Sequence, residues 1–283
     1  MEYSTGRASW ETLIIYFIGG DYMEIVVLIK EVPDMDRVKF NMEKGVVDRS
    51  SAEAEINPFD MNALQTAVDL KKECTANVIA LTMGPPRAEK SLRDAYSRGA
   101  DKGILLTDRN FGGSDTFATS RILAAAIQKI NSYDLIICGE KSVDGDTAQV
   151  GAEVAEFLDI PHTYYVERIT GIYESEIEVV TSKICGRKQV RRIKLPALIG
   201  VTKNINMPKL PTLRRKLESL EIKVEKLGLD DLKGYLTEEE TGFKGSPTRV
   251  SKIEIPKASY RKSRIFRNDP DGFIKAFNAE SRC

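Results

Sequence analysis

The residues best placed to do chemistry form a run of small, polar and acidic residues: Gly139-Glu140-Lys141-Ser142-Val143-Asp144-Gly145-Asp146-Thr147-Ala148-Gln149-Val150-Gly151. It follows an apolar strand ending at Cys138 and leads into a helix. That places it at the carboxyl end of a parallel strand, where open α/β sheets bind ligands. Free N–H groups and the positive end of the helix dipole suit phosphate there. Thr147 and Gln149 add side-chain donors, and Gly151 permits close approach. The same spacing also suits Asp146 as a plain helix N-cap. A second loop, Thr82-Met83-Gly84-Pro85-Pro86, sits at another strand's carboxyl end; it is either a simple strand stop or a stiff loop beside something that must pass Gly84. A third, Phe111-Gly112-Gly113-Ser114-Asp115-Thr116, is a loop and cap at the same sheet edge. Three such loops on one edge point to a nucleotide crevice.

Other chemistries lack their parts. There is no G-x-G-x-x-G and no G-x-x-x-x-G-K-[ST], so neither the common dinucleotide fingerprint nor a P-loop is present. Asp144 and Asp146 could suggest magnesium, but the rest of a calcium loop is missing and capping explains them better. The chain has 1 histidine, His162, which excludes sites built from two or three imidazoles, and no G-x-S-x-G elbow accompanies it. Its 4 cysteines (Cys74, Cys138, Cys185 and Cys283) are widely spaced with no C-x-x-C, which reads as free thiols in a reducing cytoplasm. With 42 Lys+Arg against 42 Asp+Glu, the chain lacks the basic excess of a nucleic-acid binder. Its longest apolar stretch, Leu13 to Gly20, is too short to span a membrane.

The elements that must position these loops can be read from periodicity. Glu24 to Ile29, Asn77 to Met83, Gly103 to Thr107 and Asp134 to Cys138 are short apolar runs that suit strands buried on both faces. Between them, helices are expected behind Asn57-Pro58-Phe59-Asp60, over Ala88 to Arg98, over Asp115 to Ile130 and over Asp146 to Leu158. Asp60 is the expected cap of the first, with Ala63, Leu64, Ala67, Val68 and Leu70 as its apolar stripe. This alternation predicts an α/β fold with a doubly wound, mostly parallel, Rossmann-like sheet. The β-rich, charged segment from Thr163 to Val201 predicts an antiparallel hairpin on the sheet edge and a final buried strand.

The ends read differently. Residues 1–22 are expected to be an extension outside the fold, ahead of a nucleotide-binding domain at 23–202. Residues 203–226 hold 7 Lys/Arg against 3 Asp/Glu around Leu213, Leu217 and Leu220, which predicts a basic amphipathic helix. Residues 203–232 therefore read as a docking loop and helix. Residues 233–283 hold 11 Lys/Arg against 7 Asp/Glu and few apolar residues, which predicts an arm lying on a partner.

The chain resembles the beta subunit of electron transfer flavoproteins from Met23 to about Phe277. The marks stand in family order: VVLIKEVPD at 26–34, NPFDMNALQTAVDLK at 57–71, TMGPP at 82–86, RGADKGILLTDR at 98–109, SDTFATS at 114–120, DGDTAQVG at 144–151, KLPALIGVT at 194–202 and GSPT at 245–248. The resemblance implies a heterodimer with an FAD-bearing alpha subunit, the arm at 233–283 packing on it. It implies a second nucleotide in the beta subunit, AMP in ordinary members and FAD in bifurcating ones. The TMGPP, SDTFATS and DGDTAQVG motifs look like the bifurcating type, in which NADH delivers hydride to the beta FAD. Electrons then divide between a flavin dehydrogenase, such as an acyl-CoA dehydrogenase, and ferredoxin or flavodoxin. By position, Leu28, Asn57, Asp60 and Met83 should meet the adenine end. Val143, Asp146, Thr147, Ala148, Gln149, Val150 and Gly151 should meet the phosphates. Gly84, Pro85 and Pro86 should lie beside the isoalloxazine or nicotinamide, and Thr116 belongs to the same cofactor set. Leu210 to Lys216 matches the loop that docks on dehydrogenases, with Leu213 as anchor and Arg214, Arg215 and Lys216 for steering. Three positions depart from many relatives: Ala152 for a proline, Glu140 for a basic residue, and Gly200 for a small hydroxyl or thiol. A carboxylate at Glu140 would lower a nearby flavin's potential.

Overall fold

Short apolar runs alternating with amphipathic stretches can bury both only by layering helices on a sheet. The computed structural model, which describes residues 16–18, 22–34, 39–41, 46–48, 54–182, 185–249 and 263–280, shows that arrangement. The chain begins with β1 (Tyr16–Ile18) and β2 (Met23–Leu28). Four short strands follow: β3 (Glu31–Pro33), β4 (Lys39–Asn41), β5 (Val46–Asp48) and β6 (Ala54–Ile56). Next come α1 (Pro58–Glu73), β7 (Ala76–Met83), α2 (Glu89–Arg98), β8 (Lys102–Leu106), α3 (Thr116–Ile130), β9 (Leu135–Gly139) and α4 (Val150–Phe157). β10 (His162–Tyr173), β11 (Glu176–Ser182), β12 (Lys188–Lys194) and β13 (Ala197–Val201) complete the central part. α5 (Leu213–Glu221), β14 (Glu225–Leu227), α6 (Gly242–Gly245) and α7 (Pro270–Glu280) end the described chain.

The main sheet runs β12-β11-β10-β13-β9-β2-β7-β8-β14. From β10 to β14 neighbouring strands are parallel, and β10, β11 and β12 are antiparallel. This is the expected doubly wound α/β fold with its edge hairpin. Alternate residues of each buried strand face opposite layers. Ile25, Val27, Val78 and Ala80 pack with Leu64 and Leu70 of α1 and Leu92 of α2. Val26, Leu28, Ile79 and Ile136 pack with Ile122 and Ile127 of α3 and Val154 of α4. Each fully buried Leu or Ile contributes about 1.5–3 kcal/mol of transfer free energy. From β2 the chain steps through α1 to β7 and through α2 to β8. α3 then carries it back to β9 on the other side of β2. The winding therefore reverses between β2 and β9, and this opens a crevice beyond their carboxyl ends.

Several expectations shift. Within residues 1–22, Tyr16–Ile18 pair in parallel with Gly171–Tyr173, because β10 runs on past β13 and leaves that edge open. The rest of the segment apart from Tyr22 lies outside the described residues. The helix expected over Asp146 to Leu158 starts only at Val150, since Asp146 (φ 55°) and Ala148 (φ 56°) are left-handed and cannot continue a right-handed helix. The basic helix is shorter than 203–226, at Leu213–Glu221. Part of the expected arm belongs to the domain: Leu236, Thr241 and Ser246 are buried. Residues 250–262 lie outside the described residues, and Phe273, Ile274 and Phe277 of α7 are exposed.

Leu64, fully buried between α1 and the sheet, tests the core. Leu64→Ala should lower the unfolding free energy by about 2–5 kcal/mol, measured by urea denaturation at unchanged slope.

Candidate functional site

The ladder between β2 and β9 covers Ile25–Val27 and then ends, which frees the amides beyond it for other partners. Asp60 takes two of them. Its Oδ2 accepts from the Lys30 amide at 2.8 Å and its Oδ1 from the Gly139 amide at 3.1 Å. One buried carboxylate in the first turn of α1 thus bridges the two strands that flank the switch point. Asp60 is therefore not the expected N-cap. That position belongs to Asn57, with Pro58 as the first helical residue, while Asp60 turns toward the strands. Burial pushes the Asp60 carboxyl up to about 7, against the pull of the Lys30 and Gly139 amides and of Asn57.

Asn57 is fully buried and spends its side chain on the loop after β9. Its Nδ2 donates to the Lys141 carbonyl at 2.8 Å, and its Oδ1 accepts from the Val143 amide at 3.2 Å. Its own amide donates to the Lys30 carbonyl. Lys30, which the sequence reading did not single out, reaches the same loop: its Nζ lies 2.7 Å from Asp144 and 3.4 Å from the Ser142 hydroxyl. The signal available was a lone lysine closing the apolar run VVLIK. Lys141 in turn lies 2.6 Å from Asp146 and over the Phe59 ring. Both loop aspartates therefore face lysines. Leu28 is buried just below, at the end of β2.

The segment from Asp146 to Val150 has the form of an anion cradle. Left-handed Asp146 and Ala148 turn the chain sharply, and among the described residues the amides of Thr147, Ala148 and Gln149 donate to nothing. Aspartate adopts the left-handed region readily and alanine only at a cost, and consecutive free amides in such a turn can make an anion-binding concavity. Gln149 is the N-cap residue of α4. Its Oε1 accepts from the Thr116 hydroxyl at 3.3 Å, which brings the start of α3 against the start of α4. Ser120 and Thr116 also reach Glu153, at 2.9 and 3.4 Å.

Met83 and Gly84 are half-buried at the end of β7, and Pro85 and Pro86 are exposed beyond them. The Gly84 amide donates to the Leu106 carbonyl. Thr82 Oγ1, buried beside this loop, has no hydrogen-bond partner. Glu31 of β3 ties the loop down through Arg87 and Ser91, each at 3.2 Å. Glu140 is half-buried; desolvation raises its pKa while Lys141 and Lys203 pull it down. The charge expected there is thus more easily neutralised than that of an exposed glutamate.

Gly151 serves a different need from the one expected. A Cβ there would lie 2.2 Å from the Tyr164 hydroxyl and 2.6 Å from Cys138 Sγ, so the space belongs to the protein's own side chains. Gly200 makes room for the same tyrosine: a Cβ there would lie 2.5 Å from its ring. Tyr164 reaches Cys138 Sγ at 3.7 Å, and burial pushes the Cys138 thiol up to about 12. The departure at Gly200 is therefore matched by a ring that fills the hydroxyl or thiol position.

The residues expected to dock lie away from the switch point, on and before α5 beside α2. Leu210 and Leu213 are 87% and 75% exposed, and Arg214, Arg215 and Lys216 are exposed with them. Two surface concavities flank this segment, one of about 680 Å³ between α2 and residues 220–226 and one of about 340 Å³ between α1, α2 and residues 209–212.

Fold and loops together define the class: a doubly wound α/β protein that gathers its loops at the carboxyl edge of the sheet, around the topological switch point. Residues 44–231 match the electron transfer flavoprotein domain. The electron transfer flavoprotein subunit beta of Clostridium acetobutylicum is 40% identical over 236 residues, covering 81% of this chain and 87% of the relative. The caffeyl-CoA reductase-Etf complex subunit CarD of Acetobacterium woodii is 37% identical, covering 83% and 88%. Protein FixA of Azotobacter vinelandii is 37% identical, covering 90% and 92%. The chain belongs to the electron transfer flavoprotein family, among its beta subunits.

Asp60 carries a pH test. Its folded pKa near 7 lies above the ordinary carboxylate value, so it contributes stability that is present at low pH and lost as pH rises toward 7. The stability advantage of the wild type over Asp60→Asn should shrink between about pH 4 and 7 by up to about 1.4 kcal/mol per unit, read from urea denaturation at each pH.

Proposed function

We propose that this chain is the beta subunit of a bifurcating electron transfer flavoprotein and holds FAD in the switch-point crevice. The observation that carries nucleotide binding is the cradle after β9, with left-handed Asp146 and Ala148 and the unused amides of Thr147, Ala148 and Gln149; the choice of FAD over AMP is supported by the TMGPP, SDTFATS and DGDTAQVG motifs at 82–86, 114–120 and 144–151. These amides, with the Thr147 and Gln149 side chains, would hold the diphosphate. Asn57, with Asp60 behind it, sets the loop that would cover the adenine end, beside Leu28 and Met83. Gly84, Pro85 and Pro86 supply an open, stiff loop at the same edge for the ring and the incoming NADH. Bound there, FAD would supply the chemistry of accepting hydride from NADH and releasing electrons singly; the protein supplies position and electrostatics.

The chain's own residues define the remaining roles. Lys30 places a cation at the crevice mouth, shared with Asp144. Glu140 holds or releases a proton at its carboxylate beside the loop. The exposed leucines of α5 and the cations Arg214, Arg215 and Lys216 suit an acyl-CoA dehydrogenase or similar flavin enzyme with an acidic surface. Residues 263–280 present Phe273, Ile274 and Phe277, which suits an arm that lies on an alpha subunit. Ferredoxin or flavodoxin completes the partners as the low-potential acceptor. The free thiols of Cys74, Cys138 and Cys185 accord with a cytoplasmic setting. Among the described residues no helix is long and apolar enough to cross a membrane.

The nucleotide released on denaturing the co-expressed heterodimer tests the proposal. Two FAD per heterodimer are expected; one FAD with one AMP would overturn bifurcation and leave an ordinary electron carrier. In the same preparation Asn57→Ala should lose about 1–3 kcal/mol of binding free energy for the beta-subunit nucleotide through release of the 141–143 loop, measured by equilibrium dialysis.

A further inference from the structure

A nine-residue surface helix ordinarily turns its apolar stripe inward. α5 does the reverse. Leu213, Leu217 and Leu220 fall at i, i+4 and i+7 on one side, yet they are 75%, 58% and 63% exposed. The α5 residue that is buried is Ser219. A leucine stripe left in water beside a concavity of about 680 Å³ needs something that stops the helix from rolling over.

Arg93 of α2 is placed to do this. Its Nη1 donates to the carbonyls of Ser219 at 3.0 Å and Leu220 at 2.7 Å, in the last turn of α5 where carbonyls lack intrahelical partners. The rest of the guanidinium is held in turn. Nε and Nη2 donate to Glu89 Oε1 at 3.2 and 2.7 Å, and Glu89 Oε2 lies 2.7 Å from Lys226 of β14. A planar fork fixed on one side and bonded to two successive carbonyls on the other defines the rotation of the helix about its axis as well as its position. The incoming chain is pinned separately: the Lys209 carbonyl accepts from Arg98 at 3.1 Å, and its amide donates to Gln65 at 2.8 Å.

We propose that Arg93 is a positioning residue for partner docking: by capping the last carbonyls of α5 it locks the helix with its leucines outward, ready for a dehydrogenase. The inference rests on the docking role proposed above for residues 210–216. Without the lock the leucines turn toward α2, and the docking surface loses its apolar centre while the crevice is untouched.

The orientation is tested in the co-expressed heterodimer carrying Cys185→Ser and Cys283→Ser, which leaves the beta subunit's buried Cys74 and Cys138 as background thiols. With Leu217→Cys added, maleimide labelling at 217 should slow about fivefold or more on Arg93→Met, with bound nucleotide unchanged, and Arg93→Lys should recover part of the rate. An unchanged or faster rate in Arg93→Met overturns the inference. If Arg93→Met fails to assemble, Glu89→Ala, which removes the oxygen that holds Nε and Nη2 while leaving the guanidinium in place, takes its place with the same criteria. A second arm separates the docking role from the lock. With an acyl-CoA dehydrogenase as acceptor, Leu217→Ser alone should raise KM about fivefold or more at constant kcat. No change in KM there would overturn the docking role, while the labelling rate still decides whether Arg93 sets the helix.

Discussion

The carboxylate of Asp60 ties together the two strands between which the chain reverses its winding. Parallel strands diverge past their last ladder bond, and the loops they launch would then be free to move independently. Asp60 removes that freedom by accepting from the Lys30 amide, two residues past β2, and from the amide of the last residue of β9. Burying the group is unfavourable, as its raised pKa shows, and the two N–H bonds offset the cost. Because Asp60 sits in the first turn of α1, the same helix that covers the sheet also ties together the loops at the switch point. Asn57, three residues earlier, extends this control to the loop after β9.

From this arrangement the proposed functions separate in space. The crevice lies on the carboxyl edge of the sheet. α5, the helix proposed for docking, lies beside α2, held by side chains to backbone carbonyls. The root of the arm lies against the start of α3. There Asp115 caps the helix through the Ala118 amide and also takes the Thr248 amide and hydroxyl at 2.9 and 2.6 Å. One carboxylate thus serves the crevice rim and the arm together. A net charge of zero conceals the division, since the basic excess is concentrated after residue 202.

Much of this was legible in the chain because it rests on local rules. The strands from Glu24, Asn77 and Asp134 and the stripes on α1 and α3 follow from periodicity, and their alternation implies a parallel sheet. The three loops on one edge follow from that topology. The errors came where a residue's partner is remote in sequence. Asp60 has the type and place of an N-cap, but its partner at Gly139 is 79 residues away. Asp146 also looks like a cap, and its left-handed backbone is invisible in its identity. Gly151 signals close approach correctly, but the approaching group is Tyr164.

By itself, the sequence determined the layered α/β fold, the edge that carries the loops, the basic leucine-bearing segment and the family to which the chain belongs. Each of these depends on residue type and spacing along one stretch of chain. The tertiary structure alone decided that Asp60 and Asn57 hold the crevice from behind, that Lys30 stands at its mouth, and that α5 turns its leucines to solvent under the hold of Arg93. Those outcomes depend on hydrogen bonds between groups that only folding brings together. The energy of such bonds lies in distance and direction, which a linear order of residues does not contain.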